Sequence, residues 1–194
     1  MSVTNRDLTP LEFPVPLVGI AAFSGTGKTT LLLELVPLLK AAGLRLAVVK
    51  PAHHSFEMDQ PGKDSYRLRA AGADEMLVAA RCRVGWIREC KDRNDEPRLQ
   101  EVLAMLDPSR LDLVLVEGFK AEPIPKIELH RPALGRPLLF PQDRNVIAIA
   151  TDGGAVALDP GELPRLSLNH PADIATFILK FIGRSEKLQP DVAC

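Results

Sequence analysis

The stretch GIAAFSGTGKTT, residues 19–30, decides the fold of this chain. The apolar run PLVGIAAF (16–23) predicts a buried strand. The segment KTTLLLELVPLLKAAG (28–43) has apolar residues at helical spacing and a glycine placed to end the helix. Between them, small residues allow a tight turn that brings backbone N–H groups close to a ligand. Strand, glycine-rich turn, Lys-Thr and helix together are the context that a phosphate-binding loop requires, although its first position is Ala22 rather than the usual glycine.

The chemistry of such a loop assigns roles to its residues. Backbone amides and the N-terminus of the helix make a positively polarised concave site for phosphate oxygens. Lys28 is expected to reach the β and γ phosphates, and the hydroxyl of Thr29 is placed to ligate Mg²⁺. The phosphate-binding candidates are Ser24, Gly25, Thr26, Gly27, Lys28, Thr29 and Thr30.

A second signal is LDLVLVEGFK, residues 111–120. Its continuous apolar run is typical of a parallel strand buried on both faces. Ligands of open α/β sheets bind beyond the carboxyl ends of the strands, so Glu117 is expected near the Mg²⁺ ion or its water shell. The alternative is that Glu117 is a solvated residue at the end of a strand.

The rest of the chain alternates strands and helices, which predicts an α/β fold. We expect a P-loop NTPase-like, mostly parallel sheet flanked by helices, with an antiparallel strand extension. Segments 82–90 and 125–131 do not fit a strict alternation, so we assign them to that extension, whose edge is suited to dimer pairing. A nucleotide-binding domain is expected over 15–183, between flexible tails at 1–14 and 184–194. Further strands are expected at 44–50, 74–80 and 145–152, and helices at 63–72, near 98–106 and at 171–183.

Composition excludes several classes of protein. The formal net charge is −1, from 24 basic and 25 acidic residues, so no global basic excess indicates nucleic acid. The three cysteines have no metal-type spacing, which indicates free thiols in a reducing cytosol. No apolar run approaches the roughly 20 residues of a membrane helix. We therefore expect a cytoplasmic protein that binds neither nucleic acid nor membrane.

Two further polar segments are candidate ligand sites. The loop after the second strand carries adjacent histidines and acids, and we interpret it as a switch or cofactor-binding loop. Its candidates are His53, His54, Asp59, Lys63, Asp64, Ser65 and Arg67. A transition-metal site and an ordinary polar surface loop are the alternatives. At the end of the 145–152 strand, Thr151 and Asp152 are candidate nucleobase contacts, although an aspartate that initiates a turn explains them equally well.

Taken in order, GIAAFSGTGKTT, PGKDSYRLRAAGA and LDLVLVEGFK resemble the molybdopterin-guanine dinucleotide biosynthesis protein B family, from about Leu17 to Ile182. The histidine loop is matched at His53 and His54, but it is preceded here by KPA, where the family is expected to have a further histidine and a threonine. No role is therefore carried over to residues 51 and 52.

The resemblance implies a dimeric, weakly hydrolytic P-loop protein that binds GTP. Such proteins assist the partner guanylyltransferase that joins GMP to molybdopterin, and the nucleotidyl transfer is expected on that partner. Carried over by position, residues 25–30 hold phosphates, and Thr29 and Glu117 hold Mg²⁺. Lys63, Asp64 and Ser65 fall in the family's second motif. Molybdopterin is a further possible ligand.

Two alternatives remain open from the sequence. A small-molecule kinase would use the same loop and needs an arginine-bearing lid, for which the Pro-rich segment with Arg131, Arg136 and Arg144 is suited if it is mobile. A GTP-dependent metal chaperone would rest on the two histidines.

No glutamine is evidently placed to orient an attacking water, so slow hydrolysis is expected.

Overall fold

The computed structural model describes residues 11–52, 56–90, 95–153 and 163–184. The tails beyond this range and the loop histidines His53 and His54 lie outside the described residues. The strands are β1 (Leu17–Ala21), β2 (Leu46–Val49), β3 (Glu75–Ala80), β4 (Arg83–Arg88), β5 (Leu113–Glu117), β6 (Lys126–His130), β7 (Val146–Thr151) and β8 (Arg165–Ser167). The helices are α1 (Lys28–Ala41), α2 (Asp64–Ala70), α3 (Leu99–Leu103) and α4 (Pro171–Phe181), with 3₁₀ turns at Pro108–Arg110 and Pro132–Leu134.

Six strands form one sheet in the order β2-β5-β1-β6-β7-β8, and every neighbouring pair is parallel. The three central strands, β5, β1 and β6, are buried along their whole length. This explains the continuous apolar runs of β1 and β5, because parallel strands are covered on both faces. In contrast, β6 also buries the polar residues Lys126, Glu128 and His130. The carboxyl ends of these strands lie side by side at one edge of the sheet, where ligands of such folds bind.

Two apolar clusters cover the two faces of the sheet. On one face, Leu35 and Leu39 of α1 and Ile174 and Ile178 of α4 are fully buried in a single cluster with the sheet. On the other face, Leu99 and Leu103 of α3 belong to a cluster that also includes Val114 and Val116 of β5. The alternation along β5, with Leu113 and Leu115 in the first cluster, follows from the period of two of a strand. The core therefore fixes the strand that ends at Glu117.

The assignment of 125–131 to an antiparallel extension is wrong. β6 lies inside the parallel sheet, between β1 and β7. A parallel crossover usually contains a helix, but the connection here is only residues 118–125, which pass β1 in an irregular path. Because those residues show no helical pattern, the sequence did not reveal a crossover. The short edge strand β8 was also not expected.

Residues 52–97 form a compact unit of their own, consisting of α2 and the antiparallel pair β3–β4. This pair confirms the antiparallel extension predicted at 82–90. Leu77 lies opposite Trp86, and Ala79 lies opposite Val84. All four side chains lie on one face of the two-stranded ribbon, because side chains alternate between faces along a strand.

None of the helices in the described part of the chain is long and apolar enough to cross a membrane.

Candidate phosphate-binding site

The turn between β1 and α1 takes its shape from two glycines. Gly25 has φ 81° and Gly27 has φ 99°, both in the left-handed region that favours glycine. The buried Thr26 between them donates its hydroxyl to the carbonyl of Phe23 at 2.9 Å, which closes the loop on itself. Helix α1 begins directly afterwards, and the N–H of Leu31 donates to the carbonyl of Gly27 at 3.0 Å. The first amides of α1 therefore face an open concave turn, as an anion site requires.

Two lysines converge on this loop. Nζ of Lys28 lies 3.5 Å from the carbonyl oxygen of Phe23, and Nζ of Lys120 lies 4.6 Å from the centre of the Phe23 ring. Burial, and then the nearby charge of Lys28, lower the pKa of Lys120 below its ordinary value. A pair of mutually repelling ammonium groups beside the N-terminus of a helix is suited to a polyanion such as a nucleotide phosphate chain.

The segment VEGFK forms a strained turn that positions Lys120 beside the phosphate loop. Gly118 has φ 79° and Phe119 has φ 48°, the single non-glycine with positive φ among the described residues. A Cβ at Gly118 would lie 2.8 Å from Cγ of Pro51, so glycine is the residue that fits there. The turn directs the chain from the end of β5 back toward the phosphate loop.

Glu117 and Thr29, predicted to share a metal ion, lie next to each other. The hydroxyl of Thr29 is 3.5 Å from Oε1 of Glu117, which is only 7% exposed. Nζ of Lys50, which follows β2, lies 3.1 Å from the same Oε1 and 3.5 Å from the Thr29 hydroxyl. One carboxylate, one hydroxyl and one ammonium group thus meet at the carboxyl ends of β2 and β5.

The donor set fits Mg²⁺ bound together with a nucleotide. Mg²⁺ prefers hard oxygen ligands and is usually held by one or two protein groups plus phosphates and water. Thr29 and Glu117 supply such oxygens beside the loop. Within the described ranges, no group of three or more His, Cys, Asp and Glu residues is arranged to hold a metal without a nucleotide. Thr29 and Glu117 would hold the ion, which would neutralise phosphate charge.

Arg131 joins the phosphate loop to the end of β7. Its Nε donates to the carbonyl of Thr26 at 2.9 Å, and its Nη1 lies 2.6 Å from Oδ2 of Asp152. The predicted nucleobase contact Asp152 is thus already paired with an arginine. Thr151, its neighbour, donates its hydroxyl to the carbonyl of Gly153 at 3.5 Å.

A cavity of about 250 Å³ adjoins the phosphate loop between α1 and the start of α4. It is lined by Gly27, Thr30, Glu34, Arg131, Leu168 and Asn169, among others. This volume is slightly below the roughly 300–1,000 Å³ typical of small-molecule sites. It therefore suits part of a nucleotide rather than the whole molecule.

The Pro-rich segment after β6, considered above as the arginine-bearing lid of a kinase, is fastened to the sheet. The buried carboxylate of Glu128 accepts from the backbone N–H groups of Leu139 and Phe140, at 2.7 and 2.9 Å. Burial raises the pKa of Glu128, and these two hydrogen bonds oppose that shift. Lys126, 1% exposed, is paired with Asp143 at 2.6 Å. These contacts hold the segment in place and speak against a freely moving lid.

The second predicted motif lies in the unit 52–97. Ser65 donates its hydroxyl to Oδ1 of Asp59 at 2.9 Å. Arg69, which the sequence did not single out, pairs with Glu57 at 2.6 Å and also with Glu89. Asp59 and Ser65 therefore belong to a network that holds this unit together. Three other candidates, Lys63, Asp64 and Arg67, have exposed side chains, and the last two pair at 3.6 Å.

Lys50 and Lys120 were not identified from the sequence as residues of the site, and Arg131 was assigned to a lid rather than to the phosphate loop. Lys50 and Lys120 both stand just past the carboxyl ends of apolar strands, which is a signal that was available. Arg131 was considered only as a lid residue. Its contact with the phosphate loop depends on β6 lying beside β1, and this pairing was not predicted.

The chain is similar to known proteins of one family. The family model "Molybdopterin guanine dinucleotide synthesis protein B" matches residues 17–152. The molybdopterin-guanine dinucleotide biosynthesis adapter protein of Escherichia coli is 44% identical over 171 residues, covering 88% of this chain and 95% of that protein. Its namesake from Haemophilus influenzae is 42% identical over 168 residues, covering 84% and 88%.

A solved structure shows the same fold. The MobB protein homolog from Bacillus stearothermophilus has a TM-score of 0.61 and 26% identity, covering 86% of this chain and 97% of that one. The family model matches well over half of the chain, including the phosphate loop and the end of β5. This match decides to which family the chain belongs. This chain belongs to the molybdopterin guanine dinucleotide synthesis protein B family.

Proposed function

We propose that this protein binds GTP with Mg²⁺ and serves as an accessory adaptor in molybdenum cofactor maturation. It would assist a partner guanylyltransferase that attaches GMP to molybdopterin, and the transfer itself would occur on the partner. The observation that carries this proposal is the phosphate loop with Lys28, Thr29 and Glu117 gathered at the carboxyl edge of the sheet. The names of the relatives from E. coli and H. influenzae, both adapter proteins of this biosynthesis, support it.

The arrangement around the loop supports slow hydrolysis. The carboxylate of Glu117 is assigned to the Mg²⁺ ion together with Thr29, so it is poorly placed to activate water. Arg131 is held by Asp152 and by the carbonyl of Thr26. Two groups that a fast GTPase would direct at the reacting phosphate or water are therefore already engaged. We propose a weak GTPase, with nucleotide binding rather than turnover as the main role.

For the base, we retain Thr151 and Asp152 as the proposed contacts. Guanine presents two adjacent N–H donors, which a carboxylate accepts well. Asp152 lies at the end of β7 and is only partly exposed. Its partner Arg131 also lines the cavity beside Gly27. A base in that cavity would thus lie near the Arg131–Asp152 pair.

Two further hypotheses belong to the same proposal. The exposed Lys63, Asp64 and Arg67 are candidates for contact with molybdopterin or with the partner enzyme. We also propose that the protein works in the cytoplasm, because its three cysteines lack the spacing of a disulfide framework or a metal site.

A homodimer through the β3–β4 ribbon completes the proposal. Leu77 is 62% exposed and Val84 is 64% exposed on one face of the ribbon. A two-stranded ribbon is at best marginally stable in water and gains from being covered. A second copy of the chain would cover this face and pair with its strand edges.

Calorimetric titration of GTP and ATP, each with Mg²⁺, tests the nucleotide assignment. Wild type should bind GTP more tightly than ATP. Lys28→Ala should weaken GTP binding roughly tenfold to a hundredfold, because charged hydrogen bonds to phosphate are lost. Circular dichroism should show that the variant is folded. Equal GTP affinity in the variant would overturn the loop assignment, and a preference for ATP would favour the kinase alternative.

A further inference from the structure

Lys50 stands where two predicted metal ligands meet. Its Nζ is 3.1 Å from Oε1 of Glu117 and 3.5 Å from Oγ1 of Thr29, while those two oxygens are themselves 3.5 Å apart. The ammonium group therefore contacts the same two oxygens that would face a Mg²⁺ ion. Lys50 itself is about half exposed, whereas the side chain of Glu117 is 9% exposed.

Charge balance explains why a cation is needed at this point. A carboxylate that is almost completely buried is costly unless a positive charge accompanies it. Lys28 and Lys120 instead contact Phe23 of the loop. Among the described residues, the cation that the structure pairs with Glu117 is Lys50.

We propose that Lys50 is a built-in counter-ion that competes with Mg²⁺ for Glu117 and Thr29. This inference rests on the proposed binding of GTP with Mg²⁺. A metal ion and an ammonium group cannot both contact one carboxylate oxygen without strong repulsion, so arrival of the metal displaces Lys50. The displaced ammonium group stays beside the loop, because Lys50 directly follows the end of β2.

The exchange of cations gives the site two states. Without metal, Lys50 neutralises Glu117 and supplies part of the positive charge for a bound phosphate chain. With metal, Lys50 moves away from Glu117. Lys50 is thus a positioning residue that makes nucleotide binding depend less on Mg²⁺.

The test measures the binding of a fluorescent GTP analogue as Mg²⁺ is titrated, in wild type and in Lys50→Gln. The variant should need about fivefold less Mg²⁺ for half-maximal enhancement of binding, which corresponds to about 1 kcal/mol. It should also bind the analogue more weakly when Mg²⁺ is removed with a chelator. A merely structural role would lower affinity equally with and without metal.

Two matched variants complete the design. Lys50→Arg keeps the charge and should retain the wild-type Mg²⁺ midpoint. Lys40→Gln removes an exposed lysine at the far end of α1 and should also behave like wild type. Equal Mg²⁺ midpoints in Lys50→Gln and Lys40→Gln would overturn the inference.

The wild type separates failure of the inference from failure of the function. If wild type binds the analogue without any response to Mg²⁺, the metal assignment and the role of Lys50 both fall, while the phosphate loop stands. If wild type shows no nucleotide binding at all, the proposed function falls as well. If binding responds to Mg²⁺ and Lys50→Gln does not shift the midpoint, only the inference on Lys50 fails.

Discussion

Single residues around the phosphate loop act through charge and backbone conformation. Gly25 and Gly27 allow the left-handed turn, and Gly118 allows the close approach of Pro51. These glycines allow Lys28 and Lys120, which are far apart in sequence, to reach the same loop. The two ammonium groups repel each other, and the pKa of Lys120 is lowered by burial and by the charge of Lys28. A bound phosphate chain would relieve that repulsion.

We expect Lys120 to make GTP affinity depend on pH above neutrality. The protonated ammonium attracts phosphate, and its lowered pKa means that the charge is lost at a lower pH than for an ordinary lysine. The advantage of wild type over Lys120→Met should be full near pH 7.5 and shrink toward about pH 10. Dissociation constants measured in parallel test this, because titration of the ligand itself is common to both proteins. A constant ratio over that range would contradict the prediction.

At the scale of elements, adjacent strand ends are linked by polar pairs. Arg131 follows β6 and Asp152 follows β7. Arg131 donates to the carbonyl of Thr26 in the loop after β1 and also pairs with Asp152, so it links both neighbouring strand ends to this loop. Glu128 and Lys126 fasten the segment that follows β6. The site is therefore held by rigid strands rather than by a free lid.

This linkage predicts different effects for the two members of the Arg131–Asp152 pair. Asp152→Asn should reduce the preference for GTP over ATP by roughly tenfold or more, because a charged acceptor for guanine is lost. Arg131→Gln should weaken binding of both nucleotides alike, since it loosens the phosphate loop. Calorimetry with the two nucleotides measures both effects. Equal losses for GTP and ATP in Asp152→Asn would mean that the carboxylate acts only by positioning Arg131.

At the scale of the whole molecule, the chain consists of two compact units with different surface features. The parallel sheet with its helices carries the phosphate loop, whereas residues 52–97 carry an exposed apolar ribbon. Exposed apolar patches of this kind commonly mark interaction surfaces. The proposed homodimer is thus assigned to the second unit.

A single charge on the ribbon should separate the dimer. Leu77→Glu places a carboxylate on the face that a second copy would cover, and burial of an unpaired charge is costly. Analytical ultracentrifugation should show a dimer for wild type and a monomer for the variant. Leu33→Glu is the matched control, because Leu33 is 72% exposed on α1. A monomeric wild type, or a variant that stays dimeric, would rule out this interface.

Local chemistry made much of the fold and site predictable. The phosphate loop, the helix after it and the buried strand before Glu117 were predicted because each depends on residues close together in sequence. The meeting of Thr29 with Glu117 was also predicted, since the carboxyl ends of parallel strands share one edge. The family resemblance came from three such local segments in order.

Only the tertiary structure decided the position of β6, and with it the surroundings of the loop. Its pairing with β1 brings Arg131 to Thr26, and the crossover that permits this pairing has no local signature. In the same way, Lys50 and Glu117 are 67 residues apart in sequence, and their contact exists only because β2 pairs with β5. Strand order is set by the packing of buried faces over long separations, which no short stretch of sequence encodes. The sequence alone therefore determined which groups form the candidate phosphate site, and the tertiary structure decided which charges accompany them.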